Sequence, residues 1–163
     1  MSSKVMHIAV TCGGYSGEAE ISRKSAAMVV KHMDRARYLP TLVHINRDGW
    51  FAETEGGGRF PIDKGDFSWK DDAGVRHTFD AVFEMVHGTP GEDGRLSAYF
   101  ELIGLPYTAS QPRTLAIGHH KAWTTALLAR LGHPVAKSGI FRKDILGRLE
   151  AEQEELAETY GLP

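Results

Sequence analysis

The sequence predicts an α/β fold, a parallel sheet flanked by helices, on three observations. Val5 to Thr11 is a continuous run of β-branched and apolar residues, the pattern of a strand buried on both faces. A glycine-bearing loop, a stretch of helical period and a second apolar run, Leu39 to Ile45, come within about 45 residues, as in a right-handed crossover unit. A third apolar run, Ala81 to Val86, then feeds a loop with three glycines, a proline, a histidine and two adjacent carboxylates.

Taken in order, the first strand ends in Cys12-Gly13-Gly14-Tyr15-Ser16-Gly17-Glu18, where the glycines permit positive φ and Ser16 suits an N-cap. The helix after it is expected from Ala19 to Met33, with Ile21, Ser25, Met28, Val29 and His32 along one side. The second strand closes on an Arg47-Asp48-Gly49 turn. From Phe51 to Phe79, glycines and charges with isolated aromatics such as Phe67 and Trp69 read as a loop with one or two short edge hairpins and little chemistry.

After the third strand and its loop, Leu96, Tyr99, Phe100 and Ile103 mark one face of a helix that Gly104 closes. Pro106-Tyr107-Thr108 reads as a short strand, and Ser110-Gln111-Pro112 opens a helix that breaks at Gly118. A further helix is expected from His120 to Leu131, with Trp123, Leu127, Leu128 and Leu131 on one face. Val135 to Phe141 reads as a strand, and Asp144 caps a charged helix from Ile145 to Tyr160. No repeat or low-complexity segment is present. Because a new strand is due after Gly161-Leu162-Pro163, the chain is expected to be cut from a longer protein or to be its ordered part.

With 163 residues, 42% hydrophobic and 25% charged, the chain can bury a core and reads as an ordinary globular protein. A net charge of -2 leaves no electrostatic footprint for nucleic acid or anionic lipid, which favours small-molecule chemistry. The single cysteine, Cys12, rules out an internal disulfide framework, and no Cys/His cluster has zinc-ligand spacing. No apolar run reaches the roughly 20 residues of a membrane span. A cytoplasmic setting is expected, with no metal ligand assigned.

Three constellations could carry chemistry. The glycine loop before Glu18 is an anion site if its free N–H groups serve one, and a tight turn otherwise; Glu18 either complements the helix dipole or binds an ammonium group. His87, with Glu92 and Asp93, should sit at a strand's carboxyl end, where open α/β sheets hold ligands, and there could donate a hydrogen bond to a carboxylate. Alternatively it is a structural histidine. Lys121 is either a solvated helix lysine or a phosphate-binding point charge. His119 and His120 are adjacent and so do not share a helix face, which argues against a metal.

Two of these runs together carry a resemblance. Gly13-Gly14-Tyr15-Ser16-Gly17-Glu18-Ala19-Glu20-Ile21-Ser22 resembles the amino-terminal Gly-Gly-x-Ser-x-Glu-x-x-Val-Ser motif of the D-alanine–D-alanine ligases. His87-Gly88-Thr89-Pro90-Gly91-Glu92-Asp93-Gly94 resembles their His-Gly-x-x-Gly-Glu-Asp-Gly motif. Pro106-Tyr107-Thr108-Ala109-Ser110 is similar to a Pro-Tyr-Thr-Gly-Ser segment, and Lys121 falls where a lysine touching ATP phosphates is expected. The resemblance covers the chain but only the first part of the family's length.

It implies a Rossmann-like, pre-ATP-grasp domain over 1–117 and the truncated start of an ATP-grasp domain over 118–163. It also implies ATP-dependent ligation of two D-alanines through an acyl phosphate, for peptidoglycan synthesis. Glu18 would hold the ammonium of the first D-alanine, with Gly14 and Ser16 beside it; His87 would bind near its carboxylate, and Lys121 would contact ATP. A homodimer is implied, and Mg2+ (or Mn2+) bound mainly by parts missing from this chain. His120 stands where the family has an acidic or amide residue. The Val-Lys-Pro strand, glycine-rich lid, oxyanion arginine and metal carboxylates of the family would lie later, so this polypeptide alone is expected to be inactive. Two rival readings are a non-catalytic α/β small-molecule-binding module and a nicotinamide-dependent enzyme, although Gly-x-Gly-x-x-Gly is lacking.

Overall fold

In a computed structural model, which describes residues 4–139 together with 157 and 159, the chain divides into two compact units, Met1–Ala116 and Ile117–Pro163. The elements are β1 (Met6–Gly13), α1 (Ala19–His32), β2 (Tyr38–Ile45), β3 (Trp50–Glu53), β4 (Arg59–Asp63), β5 (Ser68–Lys70), β6 (Arg76–His77), β7 (Ala81–Glu84), α2 (Arg95–Leu102), α3 (Pro112–His119) and α4 (Lys121–Arg130).

One sheet has the strand order β6-β5-β4-β3-β2-β1-β7. Strand β1, between β2 and the edge strand β7, runs parallel to both, pairing Gly13 with Ile45 and Thr11 with Glu84, so the loops after all three leave from one rim. Burial on both faces explains the continuous apolar run of β1: Ile8, Val10 and Cys12 pack under α1, whereas Ala9 joins the cluster containing Leu96 and Phe100 of α2.

The buried side of α1 differs from the expected one. Ser22 and Ala26 are its buried residues, and Val29, Val30 and Met33 pack with them, while Ile21 and Met28 are 59% and 58% exposed. The helix is turned by one residue relative to the apolar pattern because small side chains let its axis approach the sheet. Ser22 is no burden there, since its hydroxyl accepts from Gly13 N–H at 2.9 Å and donates to the Met85 carbonyl at 2.6 Å.

The segment read as a loop with one or two hairpins forms four strands, β3 to β6, that extend the sheet antiparallel. Their short connections permit no crossover, so antiparallel pairing results. The aromatics that look isolated in sequence converge. Phe67 is 1% exposed and packs edge-on to Phe100 (centroids 5.1 Å) and Trp50 (6.1 Å), while Trp69 stacks on Phe60 and His77. Phe67 adopts φ 58°, a strained backbone that this packing over-determines.

Other boundaries shift modestly. β7 ends at Glu84 rather than Val86, and Pro106 to Thr108 gives a single parallel bridge, Val82 with Tyr107. Helix α3 runs through Gly118 to His119 instead of breaking at Gly118. In the second unit, α4 begins at Lys121 because His120 takes the N-cap position, its Nδ1 accepting from Trp123 N–H at 3.4 Å. Trp123, Leu127, Leu128 and Leu131 are exposed among the described residues. Residues 135–139 form no regular element, in contrast to the strand expected there. The rest of that strand and the charged helix lie outside the described residues, except Ala157 and Thr159, which are helical. No helix among the described residues is long and apolar enough to cross a membrane.

Candidate functional site

Two loops meet at the carboxyl rim of the parallel strands. The first leaves β1 through Gly14, whose φ of +107° suits only glycine. A Cβ there would lie 2.9 Å from the His87 carbonyl oxygen and 3.0 Å from Val86 Cγ1, so the missing side chain is what lets the second loop approach. The next residue closes the junction, Tyr15 N–H donating to the Thr89 carbonyl at 2.8 Å. Ser16 is not the helix N-cap that its position suggests. Glu18 occupies that place without a side-chain cap bond, and Ser16 Oγ accepts from Glu18 N–H while donating to the His87 carbonyl, both at 3.2 Å.

Glu18 is exposed, and its Oε2 lies 3.3 Å from where a Cβ on Gly88 would stand. Its carboxylate therefore rests against the residue next to His87. The His87 ring is partly exposed, with Nδ1 at 3.7 Å from Glu92 Oε1. Glu92 N–H donates to the Gly88 carbonyl and Leu96 N–H to the Pro90 carbonyl, both at 2.8 Å. The Thr89–Pro90 peptide is cis. Asp93 Oδ1 accepts from Arg95 N–H at 3.2 Å, completing the turn into α2. Gly14, Ser16, Glu18 and His87 thus share one rim. Lys121 opens α4 in the second unit, where it is exposed.

A rim of this kind, with the Glu18 carboxylate, the His87 imidazole with Glu92 beside it, and a second loop held by donors of the first, suits a small zwitterion. The acid complements an ammonium group and the imidazole can donate to a carboxylate. Tyr15 is clamped from the far side: Trp50 Nε1 donates to its hydroxyl at 3.1 Å, and the Arg47 guanidinium lies 5.0 Å above its ring.

Two residues to which the sequence reading assigns no role, Ser22 at the end of the first motif and Glu84, also shape the rim. Ser22 ties the ends of β1 and β7 to α1. Glu84 sits under the second loop with Oε2 accepting from Ser97 Oγ at 3.3 Å, and burial pushes its carboxyl up to about 7, against the lowering effect of Ser97 and with a further rise from Asp93. The signal for Glu84 was an acid inside the apolar run Ala81 to Val86. Cys12 is fully buried, its thiol pushed up to about 12 by desolvation, so it is no nucleophile. Its neighbour His44, with Nδ1 3.4 Å from the sulfur and Nε2 3.1 Å from Glu53 Oε2, has its basicity lowered by burial.

Comparison with known proteins agrees on one family. The model described as D-ala D-ala ligase N-terminus matches residues 7–110. The D-alanine–D-alanine ligase of Flavobacterium psychrophilum is 38% identical over 159 residues, covering 97% of this chain and 46% of that protein. The structure of the D-alanine–D-alanine ligase from Coxiella burnetii superposes with a TM-score of 0.81 at 32% identity, over 96% of this chain and 50% of that one. D-alanyl-alanine synthetase A from Vibrio cholerae shares the fold, with a TM-score of 0.80 at 24% identity over 97% of this chain and 46% of that one. The chain spans about half the length of the curated relatives it matches. With more than half of its residues inside that family model and the same sheet in the solved relatives, the chain belongs to the D-alanine–D-alanine ligase family, as its amino-terminal part.

Proposed function

We propose that this chain supplies the first-substrate rim of a D-alanine–D-alanine ligase that joins two D-alanines into D-alanyl-D-alanine for peptidoglycan. Residues 1–117 serve as the pre-ATP-grasp domain and 118–163 as the start of the ATP-grasp domain. The observation that carries this reading is the locking of two glycine loops, which sets the Glu18 carboxylate against Gly88 and presents His87 beside it.

In this reading Glu18 holds the ammonium group of the first D-alanine and His87 binds near its carboxylate, with Gly14 and Ser16 fixing the backbone between them. Joining a carboxylate to an amine in water needs activation, and ATP, when bound, supplies the phosphoryl group that makes the acyl phosphate. The exposed ammonium of Lys121, at the first turn of α4, fits a phosphate contact. Among the described residues no group of three His, Cys, Asp or Glu is placed to hold a metal ion, and no step here is routed through Mg2+ (or Mn2+). The protein's own contribution is to position the zwitterion and stabilise charge. A homodimer in the cytoplasm completes the proposal.

The test is Glu18→Gln in the full-length ligase. A charge-assisted contact is worth ~1.5–3 kcal/mol, so kcat/KM for D-alanine should fall by at least about tenfold. Unchanged turnover refutes the role of Glu18.

A further inference from the structure

Beneath the His87 loop lies one acid for which the ligase reading has no use. Glu84 lines a cleft of about 220 Å3 together with His87, Gly91, Glu92, Ala109 and Leu115. Its backbone N–H donates to Thr108 Oγ1 at 3.1 Å, and its Oε2 accepts from Ser97 Oγ on α2. Gly91 crosses directly over it: a Cβ there would collide with the Val86 carbonyl oxygen and come within 2.9 Å of Glu84 Oε1. A side chain at 91 is therefore excluded, and two oxygens crowd one point of the loop.

The surroundings offer this carboxyl little help as an anion. Glu84 forms no ion pair among the described residues, and Ser97 supplies its one side-chain hydrogen bond. Around it stand Asp93, Glu92 and His87 from the loop, and the Tyr107 hydroxyl donating to Glu101 from the strand edge and α2. The neighbouring β1 contributes the neutral Thr11. A neutral carboxyl brings an O–H donor to a place crowded with oxygens; a carboxylate brings a second negative charge beside Asp93.

We infer that Glu84 is a positioning residue for His87: its carboxyl spans α2 and the Gly91 bend, so gain or loss of its proton sets how firmly the His87 loop is held. The inference rests on the ligase reading for its consequence in substrate binding. Burial raises the carboxyl to about 7. Below that pH the acid is neutral and the loop is held; above it the unpaired charge loosens the loop and weakens D-alanine binding.

Full-length wild type and Glu84→Gln are compared from pH 6 to 8.5 by two readouts. The first is amide hydrogen exchange across 87–94, where intrinsic chemistry cancels in the ratio of the two proteins. The second is the KM for D-alanine. Both ratios, wild type over variant, should stay near one at pH 6 and rise at least about threefold by pH 8.5, with the kcat ratio unchanged. Ser97→Ala provides a second variant: by removing the hydroxyl that steadies the carboxylate, it moves the onset to higher pH. Flat ratios, an exchange change without a KM change, or an onset that Ser97→Ala leaves in place would overturn the inference. Absence of D-alanine turnover in wild type counts against the ligase reading instead, and the exchange ratio still decides whether Glu84 governs the loop.

Discussion

At the scale of single residues, Glu84 gives the clearest dependence on pH. Its carboxyl sits above the ordinary carboxylate range in the folded protein, so between about 4.5 and 7 the native state binds more protons than the unfolded chain. Stability is therefore lost as pH rises through that window and levels off above it. Discounted for partial exposure, the cost at pH 8 is ~1–3 kcal/mol. Glu84→Gln should recover that amount in urea denaturation at pH 8 and almost none at pH 5; equal gains at both pH values would contradict the assignment. Glu84 was visible in the sequence only as a misfit, an acid within an apolar run. Glu18 and His87 were easier to read, because glycines and charges crowd the same short stretches. The bonds that bring them together, Tyr15 N–H to Thr89 and Ser16 Oγ to His87, join positions about seventy apart and leave no local trace.

At the scale of elements, apolar period located α1 but not its inner face. The pattern favoured Ile21 and Met28, whereas packing selected Ser22 and Ala26, because close approach to the sheet rewards small side chains over hydrophobic ones. The β3 to β6 arm was missed for a related reason. Its strands are short, and its aromatics do not alternate. Phe67 holds the arm to α2 through Phe100 and Tyr99, and it is almost wholly buried. Phe67→Ala should cost ~3–5 kcal/mol by chemical denaturation, with the loss concentrated in the arm. A cost below about 1 kcal/mol would mean that the arm is held in another way.

For the molecule as a whole, the two buried clusters found among the described residues lie within the unit ending at Ala116. That unit carries all seven described strands and both loops of the rim. A chain ending at Ala116 should therefore unfold cooperatively, with mixed α/β circular dichroism and a single transition. A broad, non-cooperative melt would show that the sheet depends on the second unit for its stability. The fold class was legible because β1, β2 and the stretch from Ala81 to Val86 read as largely apolar runs in the right order. The antiparallel half was not, since short connections fix strand direction without marking the strands themselves.

The bond from the Trp50 indole to the Tyr15 hydroxyl gives this protein a built-in optical gauge. Of the three tryptophans, Trp50 alone is tethered to the glycine turn, so replacing Trp69 and Trp123 with phenylalanine leaves one chromophore on that turn. Emission from that single indole should then shift when a small solute disturbs the glycine turn, without any attached dye.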